Sequence, residues 1–269
     1  MQGYNLLVDK GVLEKVDYKQ KDIFAILVLL FRNQQSMIAR TNDGKNCFVS
    51  SPSGLYGDFL DVTGTTRTQR SNFVNSLQRL VDNKIIEVIE VNGKKYTNKT
   101  KIQWNSLLKI DCNNLIHKSR KPFVMLNTID IGDIVEQDDL DFNTLLQVYV
   151  DVISYINQDD VIQADLGKID LNYEIYGDMS HIHLSCWASI DTLCTKRYSG
   201  DKNNNQWISN KTMIKALNIL VEIGLLAKVT PKSNNGQVFP NHYCYKRHEK
   251  MVQKIADNKA RQILYYQWF

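Results

Sequence analysis

The sequence predicts an α+β protein in which one helix–helix–helix–hairpin unit occurs twice in tandem and is followed by a C-terminal helix. Three observations lead there: a segment that repeats at a fixed offset, a hairpin signal directly after its first copy, and a composition that allows two ordinary cores. The 269 residues are 43% hydrophobic and 23% charged, with 13 Gly and only 4 Pro. A chain of that length and make-up fits two globular domains rather than a disordered or fibrous structure.

The repeat comes first. Residues 68–88, TQRSNFVNSLQRLVDNKIIEV, and residues 208–228, ISNKTMIKALNILVEIGLLAK, superpose without a gap at an offset of 140. Self-similarity of this kind marks a repeated structural unit. Phe73, Val74, Leu77, Leu80, Val81, Ile85 and Ile86 fall on Met213, Ile214, Leu217, Leu220, Val221, Leu225 and Leu226. The first five of each set, at i, i+1, i+4, i+7 and i+8, draw one apolar stripe on a helix and leave the opposite face polar. Each helix is expected to break at Asn83-Lys84 or Ile223-Gly224, where Gly224 suits a C-terminal cap, and a β-prone run follows at 85–91 or 225–229.

Asn92-Gly93 is a strong two-residue hairpin signal and returns the chain through Lys94, Lys95 and Tyr96. The second run enters the turn-rich stretch 231–236 and returns near 242–245, which makes a longer hairpin. Upstream, helices are expected at 22–33 and 52–61 in the first copy and at 142–156 and 188–197 in the second. Each copy opens with an extended segment, 4–8 or 123–126. This is the order of a winged-helix domain, and it divides the chain into a first winged-helix domain at 1–110, a linker at 111–122, a second winged-helix domain at 123–246 and a C-terminal helix at 247–269. The insert at 157–187 carries no assignment.

The C-terminal stretch sets Met251, Ile255, Ile263 and Leu264 among lysines and arginines and ends in Tyr265, Tyr266, Trp268 and Phe269, residue types that gain from burial. Packing on the second domain is its first reading; pairing of two chains into a homodimer and contact with phosphates are the alternatives.

Several classes are disfavoured by what is missing. The longest apolar run, residues 23–31, has nine members, where a membrane span needs roughly twenty. The mixed-charge segment before it does not fit a signal peptide, so the expected location is the cytoplasm, with no membrane partner. The five cysteines, at 47, 112, 186, 194 and 244, include no CxxC pair, which points to reduced, buried thiols rather than a zinc or redox site. Gly93-Lys94-Lys95 has neither the upstream glycine nor the following Ser or Thr of a phosphate-binding loop. No cofactor, metal site or catalytic residue is assigned.

Charge supplies the functional lead. Residues 129–170 hold eleven acidic residues against Lys168 alone, while the whole chain is at +4, so the remainder is strongly basic and suits a polyanionic partner. A helix beside a hairpin fits the major groove of double-stranded DNA, with side chains at the helix N-terminal end meeting base edges. The first copy presents Arg67, Gln69, Arg70, Asn72 and Asn75 on its polar face, and Thr66 with Gln69 has capping-box spacing. Arginine forks onto guanine, and Asn or Gln onto adenine. The second copy presents Asn210, Lys211, Thr212 and Lys215 after a Ser209 N-cap and lacks arginine. Lys94 and Lys95 on the first wing and Lys232 on the second are placed to neutralise phosphates, which fixes position without reading sequence.

These residues also carry a resemblance. The segment QWISNKTMIKALNILVEIGLLAK, residues 206–228, resembles the helix-to-wing portion of winged-helix replication initiators and replisome organisers from plasmids and phages of Gram-positive bacteria. The tandem arrangement is similar to that of plasmid initiators that bind repeated origin sites with two winged helices. The resemblance implies a non-enzymatic, sequence-specific DNA-binding protein acting in replication initiation of a mobile element, with a helicase or other replication protein as a further partner. A tandem winged-helix transcriptional regulator is the alternative. A third class is suggested by His181-Ile182-His183, which on a strand would point both imidazoles to one face, as in metal-dependent nicking enzymes. Tyr18 and Tyr198 are available as nucleophiles, but no third ligand is evident, and binding without cleavage remains the expectation.

Overall fold

Residues 23–31 are apolar without a break, so a helix there has no polar face and must be surrounded by protein. In the computed structural model, which describes residues 3–16, 18–20, 22–36, 47–63, 70–115, 122–169, 182–195, 206–232 and 239–266, this is α2 (Ile23–Ser36), preceded by β1 (Asn5–Asp9) and the short α1 (Lys10–Leu13). Residues 23 to 31 are buried without exception. The protein is α+β, with helices and small antiparallel sheets. The chain divides into two compact units, Met1–Gln147 with Arg197–Trp207 and Val148–Lys196 with Ile208–Phe269.

In the first unit β2 (Cys47–Ser50), α3 (Pro52–Thr63), α4 (Arg70–Asp82), β3 (Glu87–Val91), β4 (Lys94–Lys95) and β5 (Leu108–Asp111) follow α2. The four strands form one antiparallel sheet in the order β2-β5-β3-β4. α4 owes its orientation to the apolar stripe: Phe73, Leu77 and Leu80 are buried while Arg70, Ser71, Asn72 and Asn75 are exposed. The core is aromatic, with the Phe24 ring 5.6 Å from Tyr56 and tilted to it by 60°, and 5.5 Å from Phe59 and 5.3 Å from Phe142 in edge-to-face contacts, the arrangement that the ring quadrupole favours. One ion pair reaches into this core. Arg79 donates to both carboxylate oxygens of Asp22, at 3.1 Å each from Nε, and the Asp22 side chain is only 3% exposed.

Asn92 and Gly93 turn β3 into β4 with φ of 51° and 75°, two positive values as a two-residue hairpin turn requires. Two readings of the sequence are corrected here. The return strand is only two residues long, and β3 takes its second neighbour from β5, which was not anticipated and which a boundary at 110 cuts through. The extended segments at 4–8 and 123–126 do not open separate domains: they are β1 and β6 (Phe123–Asn127), and they pair with each other from Asn5↔Asn127 to Asp9↔Phe123. Both show the same alternation, with Leu6, Val8, Val124 and Leu126 buried, and alternation tells which face of a strand is covered but not which strand lies beside it. The first unit therefore extends through α5 (Thr128–Val135) into α6 (Phe142–Ser154). α5 lies close to the end of α3, where a Cβ on Gly132 would collide with the Thr63 carbonyl.

The second unit continues with α7 (Gln158–Asp165), α8 (Ile190–Cys194), α9 (Asn210–Glu222), β7 (Leu226–Val229), β8 (His242–Tyr245) and α10 (Glu249–Tyr266). β7 pairs with β8, and the far side of β8 is held by Cys186, whose N–H and C=O both bond Tyr243 at 2.8 Å. The helix expected at 188–197 is shorter: α8 starts after the Ser189 cap, whose Oγ accepts from Thr192 N at 3.1 Å, and ends at Cys194 with Thr195 as its C-cap. α9 is capped by Ser209, whose Oγ accepts from Thr212 N at 3.2 Å. α10 lies against β7 and β8, with Val252, Ile255, Ala256 and Ala260 buried. Its start is fastened by Asp165, which accepts from Arg247 at 3.0 and 3.1 Å and lies 2.7 Å from His248 Nε2. Trp268 and Phe269 lie outside the described residues.

Candidate nucleic-acid interface

The first unit gathers its exposed polar groups along α4 and the hairpin after it. Arg67 and Gln69, with Thr66, lie outside the described residues. Arg70 opens α4, and its guanidinium carbon stands 5.6 Å from the centroid of the Trp104 ring, within the range of a cation–π contact. Asn72 and Asn75 are exposed and three residues apart, hence on one face of the helix. Asn72 also lines a cleft of about 400 Å³ floored by Phe24, Phe73 and Phe142, which sets it apart from Asn75.

Lys94 and Lys95 form β4 and are exposed. They belong to a larger basic element. Between Asn92 and Leu107 the chain carries Lys94, Lys95, Lys99 and Lys101, all exposed, and no acidic residue. The loop is closed at its base, where Asn92 N donates to the Leu107 carbonyl at 2.7 Å and Leu107 N to Asn92 Oδ1 at 2.8 Å. It is tied to the neighbouring helices at two points: Gln78 Nε2 on α4 donates to the Tyr96 hydroxyl at 3.0 Å, and Ser53 N on α3 donates to the Trp104 carbonyl at 3.0 Å. Lys99, Lys101 and Trp104 escaped the sequence reading because a short hairpin was expected to end near Tyr96. The absence of acids over sixteen residues was the signal that could have found the lysines. Arg79, although basic and on α4, is not part of this surface, since Asp22 holds its guanidinium.

The second unit arranges its groups differently. Lys211 and Lys215 are exposed on α9, and so is Ile214, at 47%. Asn210 is exposed, but its amide donates to Asp191 Oδ1 at 2.6 Å, so a carboxylate sits at the helix N-terminal end. Thr212 is half-buried, with its N–H bonded to Ser209 Oγ and its hydroxyl 2.8 Å from the same atom, which occupies it in the cap rather than on the outward face. The Lys232 side chain is exposed and its backbone N–H is fixed by Asp257 Oδ1 at 2.7 Å. Trp187, which the sequence reading passed over, is 64% exposed just before α8.

The histidine triplet is only partly described. His181 and Tyr198 lie outside the described residues, and nothing is described of the Tyr18 side chain. His183 is exposed, its N–H donates to Asp160 Oδ2 at 2.8 Å, and its carbonyl accepts from Asn157 N at 2.8 Å. Thiols are free throughout, and burial pushes Cys194 up to about 11 and Cys244 up to about 12, leaving both protonated at neutral pH. No helix among the described residues is long and apolar enough to cross a membrane.

No family model matches the chain, and no solved structure matches it. A similarity is found to HMG2-induced ER-remodeling protein 1 of Saccharomyces cerevisiae, at 26% identity over 136 residues, which are 47% of this chain and 11% of that protein. The chain thus spans about a tenth of that relative's length, and the likeness places it in no family.

Proposed function

We propose that the chain is a non-enzymatic, sequence-specific binder of double-stranded DNA, built on two winged-helix units and acting in replication initiation of a mobile genetic element. The observation that carries this reading is that one arrangement occurs twice. In both units a helix is followed by an extended segment, a shorter helix, a thirteen-residue amphipathic helix and a hairpin. In both, the last strand lies between the segment before the shorter helix and the strand after the longer one: β2-β5-β3 in the first unit, and Cys186 with β8 and β7 in the second. This repeated strand order supports the winged-helix reading, in which α4 and α9 are the reading helices.

The basic hairpin beside α4 supports a DNA partner. Lysines on the wing neutralise phosphates and release counterions, while Arg70 and Asn75 supply forked donors and acceptors to base edges. The similarity to an ER-remodeling protein contributes nothing to this reading, and fold alone does not separate replication from transcription. Footprinting on the replication origin and on promoters of the parent element is the test. Protection of repeated origin sites, with local duplex opening or recruitment of a helicase, supports the proposal. Protection of a promoter alone moves the role to transcriptional regulation, and failure to bind any duplex at low salt overturns DNA binding. Magnesium- or manganese-dependent cleavage with a tyrosyl–DNA adduct would move the chain to the nicking enzymes.

A further inference from the structure

We propose that Trp104 is a positioning residue for Arg70, through which the wing of the first unit sets the direction from which α4 reads a guanine. The inference rests on the DNA-binding reading of that unit. Trp104 is held on three sides. Its carbonyl accepts from Ser53 N at 3.0 Å, its ring meets Tyr56 at 5.6 Å with an interplanar angle of 62°, and it meets Phe73 at 6.4 Å and 81°. Tyr56 and Phe73 belong to the buried aromatic core, so the indole is a fixed extension of that core beneath the first turn of α4.

Arg70, by contrast, is an exposed side chain at the end of a helix, with long flexible geometry. Left to itself it would lose its freedom on meeting DNA, at the expense of affinity. With the guanidinium 5.6 Å from the indole centroid, part of that ordering is done before DNA arrives. A cation–π contact is made to the indole face and consumes no N–H···O bond, so the guanidinium donors remain for the fork onto guanine O6 and N7. The wing thereby contributes to sequence reading as well as to phosphate contact.

Full-length protein is used to enrich binding sites from a duplex library with a randomised core, and the enriched duplex and a scrambled duplex then serve as probes. Trp104→Leu, which keeps apolar bulk without a π face, is expected to weaken binding to the enriched duplex by about fivefold and to the scrambled duplex by less than about twofold. Trp104→Phe restores most of the loss, and Trp104→Leu adds nothing in an Arg70→Ala background. In the free protein the Arg70 Nε–Hε resonance carries an upfield ring-current shift. Equal losses on both duplexes, the same loss in the Arg70→Ala background, or an unshifted Arg70 resonance in the wild type overturns the inference, the last even where Trp104→Leu does not fold. A wild type that binds no duplex while its Arg70 resonance is shifted overturns the DNA reading instead.

Discussion

The two long amphipathic helices have equal length and equal register, yet the same positions do different work in each. α4 runs from Arg70 to Asp82 and α9 from Asn210 to Glu222, thirteen residues each at the offset of the sequence repeat. Both end alike: Ile85 N reaches back to the Leu80 carbonyl at 2.9 Å, and Leu225 N to the Leu220 carbonyl at 3.1 Å, around residues of positive φ, Lys84 at 57° and Gly224 at 78°. This is the Schellman geometry. At their starts the helices part. Arg70 lies over an aromatic ring and stands beside a lysine-rich hairpin, whereas Asn210 is bonded to a carboxylate. A shared backbone frame thus carries two different helix starts, a cation over an aromatic ring in one and an amide bonded to a carboxylate in the other.

The largest expected effect breaks the comparison in the core. Arg79 holds the buried Asp22, whereas the equivalent position of α9 is Ile219, which is itself buried. Arg79→Ile makes α4 resemble α9 at that position but strands a buried carboxylate. It should cost about 2–3 kcal/mol in urea unfolding, less than for a fully enclosed pair because the Arg79 side chain is 32% exposed. The double variant Asp22→Leu with Arg79→Ile should regain most of that loss; a double variant as unstable as the single one would show that Asp22 serves something other than Arg79.

Next come the reading surfaces. Arg70→Ala should weaken binding to the preferred duplex by roughly 1–3 kcal/mol and to random duplex far less, whereas Asn210→Ala, which removes a group already bonded to Asp191, should change specificity little. The reverse ranking would make α9 the principal reader. Replacing Lys94 and Lys95 together by Ala should weaken binding to both duplexes alike and flatten the dependence of log K on log salt.

A smaller effect tests the common frame. Lys84 occupies a left-handed conformation that glycine adopts without strain, so Lys84→Gly should stabilise the protein, and Gly224→Lys should destabilise it, each by about 1 kcal/mol in thermal or urea unfolding. A destabilising Lys84→Gly, or a Gly224→Lys that costs nothing, would mean that the helix ends are not equivalent.

The smallest effect separates the units by pH. The described histidines all belong to the second unit. Burial pulls His248 below its ordinary value of 6.5 despite the Asp165 bond, and burial with Lys259 nearby does the same to His242. Groups with depressed values contribute stability that is full above 6.5 and is lost as pH falls through their folded values. Asp165 follows the same sign further down: burial raises it, but bonds from Arg247 and His248 hold it below 3.8, and its contribution fades only beneath that pH. Hydrogen exchange should therefore show α10 and β8 loosening below pH 6.5 before α4 does. His248→Gln should blunt that difference, and simultaneous loosening of both units would refute the assignment to these histidines.

Periodicity made much of this legible. The stripe through Phe73 and Leu77 and its echo through Met213 and Leu217 determined two helices, their inward faces and their ends, because a 3.6-residue repeat is a property of the local chain. Asn92-Gly93 determined a turn, because few residues tolerate two successive positive φ values. Ser209 determined the start of α9 for a similarly local reason, the orphan N–H groups of a first turn. Partnership was not legible. That β1 joins β6 across the first unit, that β5 inserts beside β3, and that Trp104 comes under Arg70 are matters of which surfaces meet after the chain has folded. A buried strand alternates in the same way whichever neighbour it takes, and an aromatic residue thirty-four positions from an arginine carries no mark of it. Local conformation was written in the order of the residues, while the strand neighbours and the cation–π contact at the proposed reading surface were decided only when distant segments competed to cover the same apolar faces.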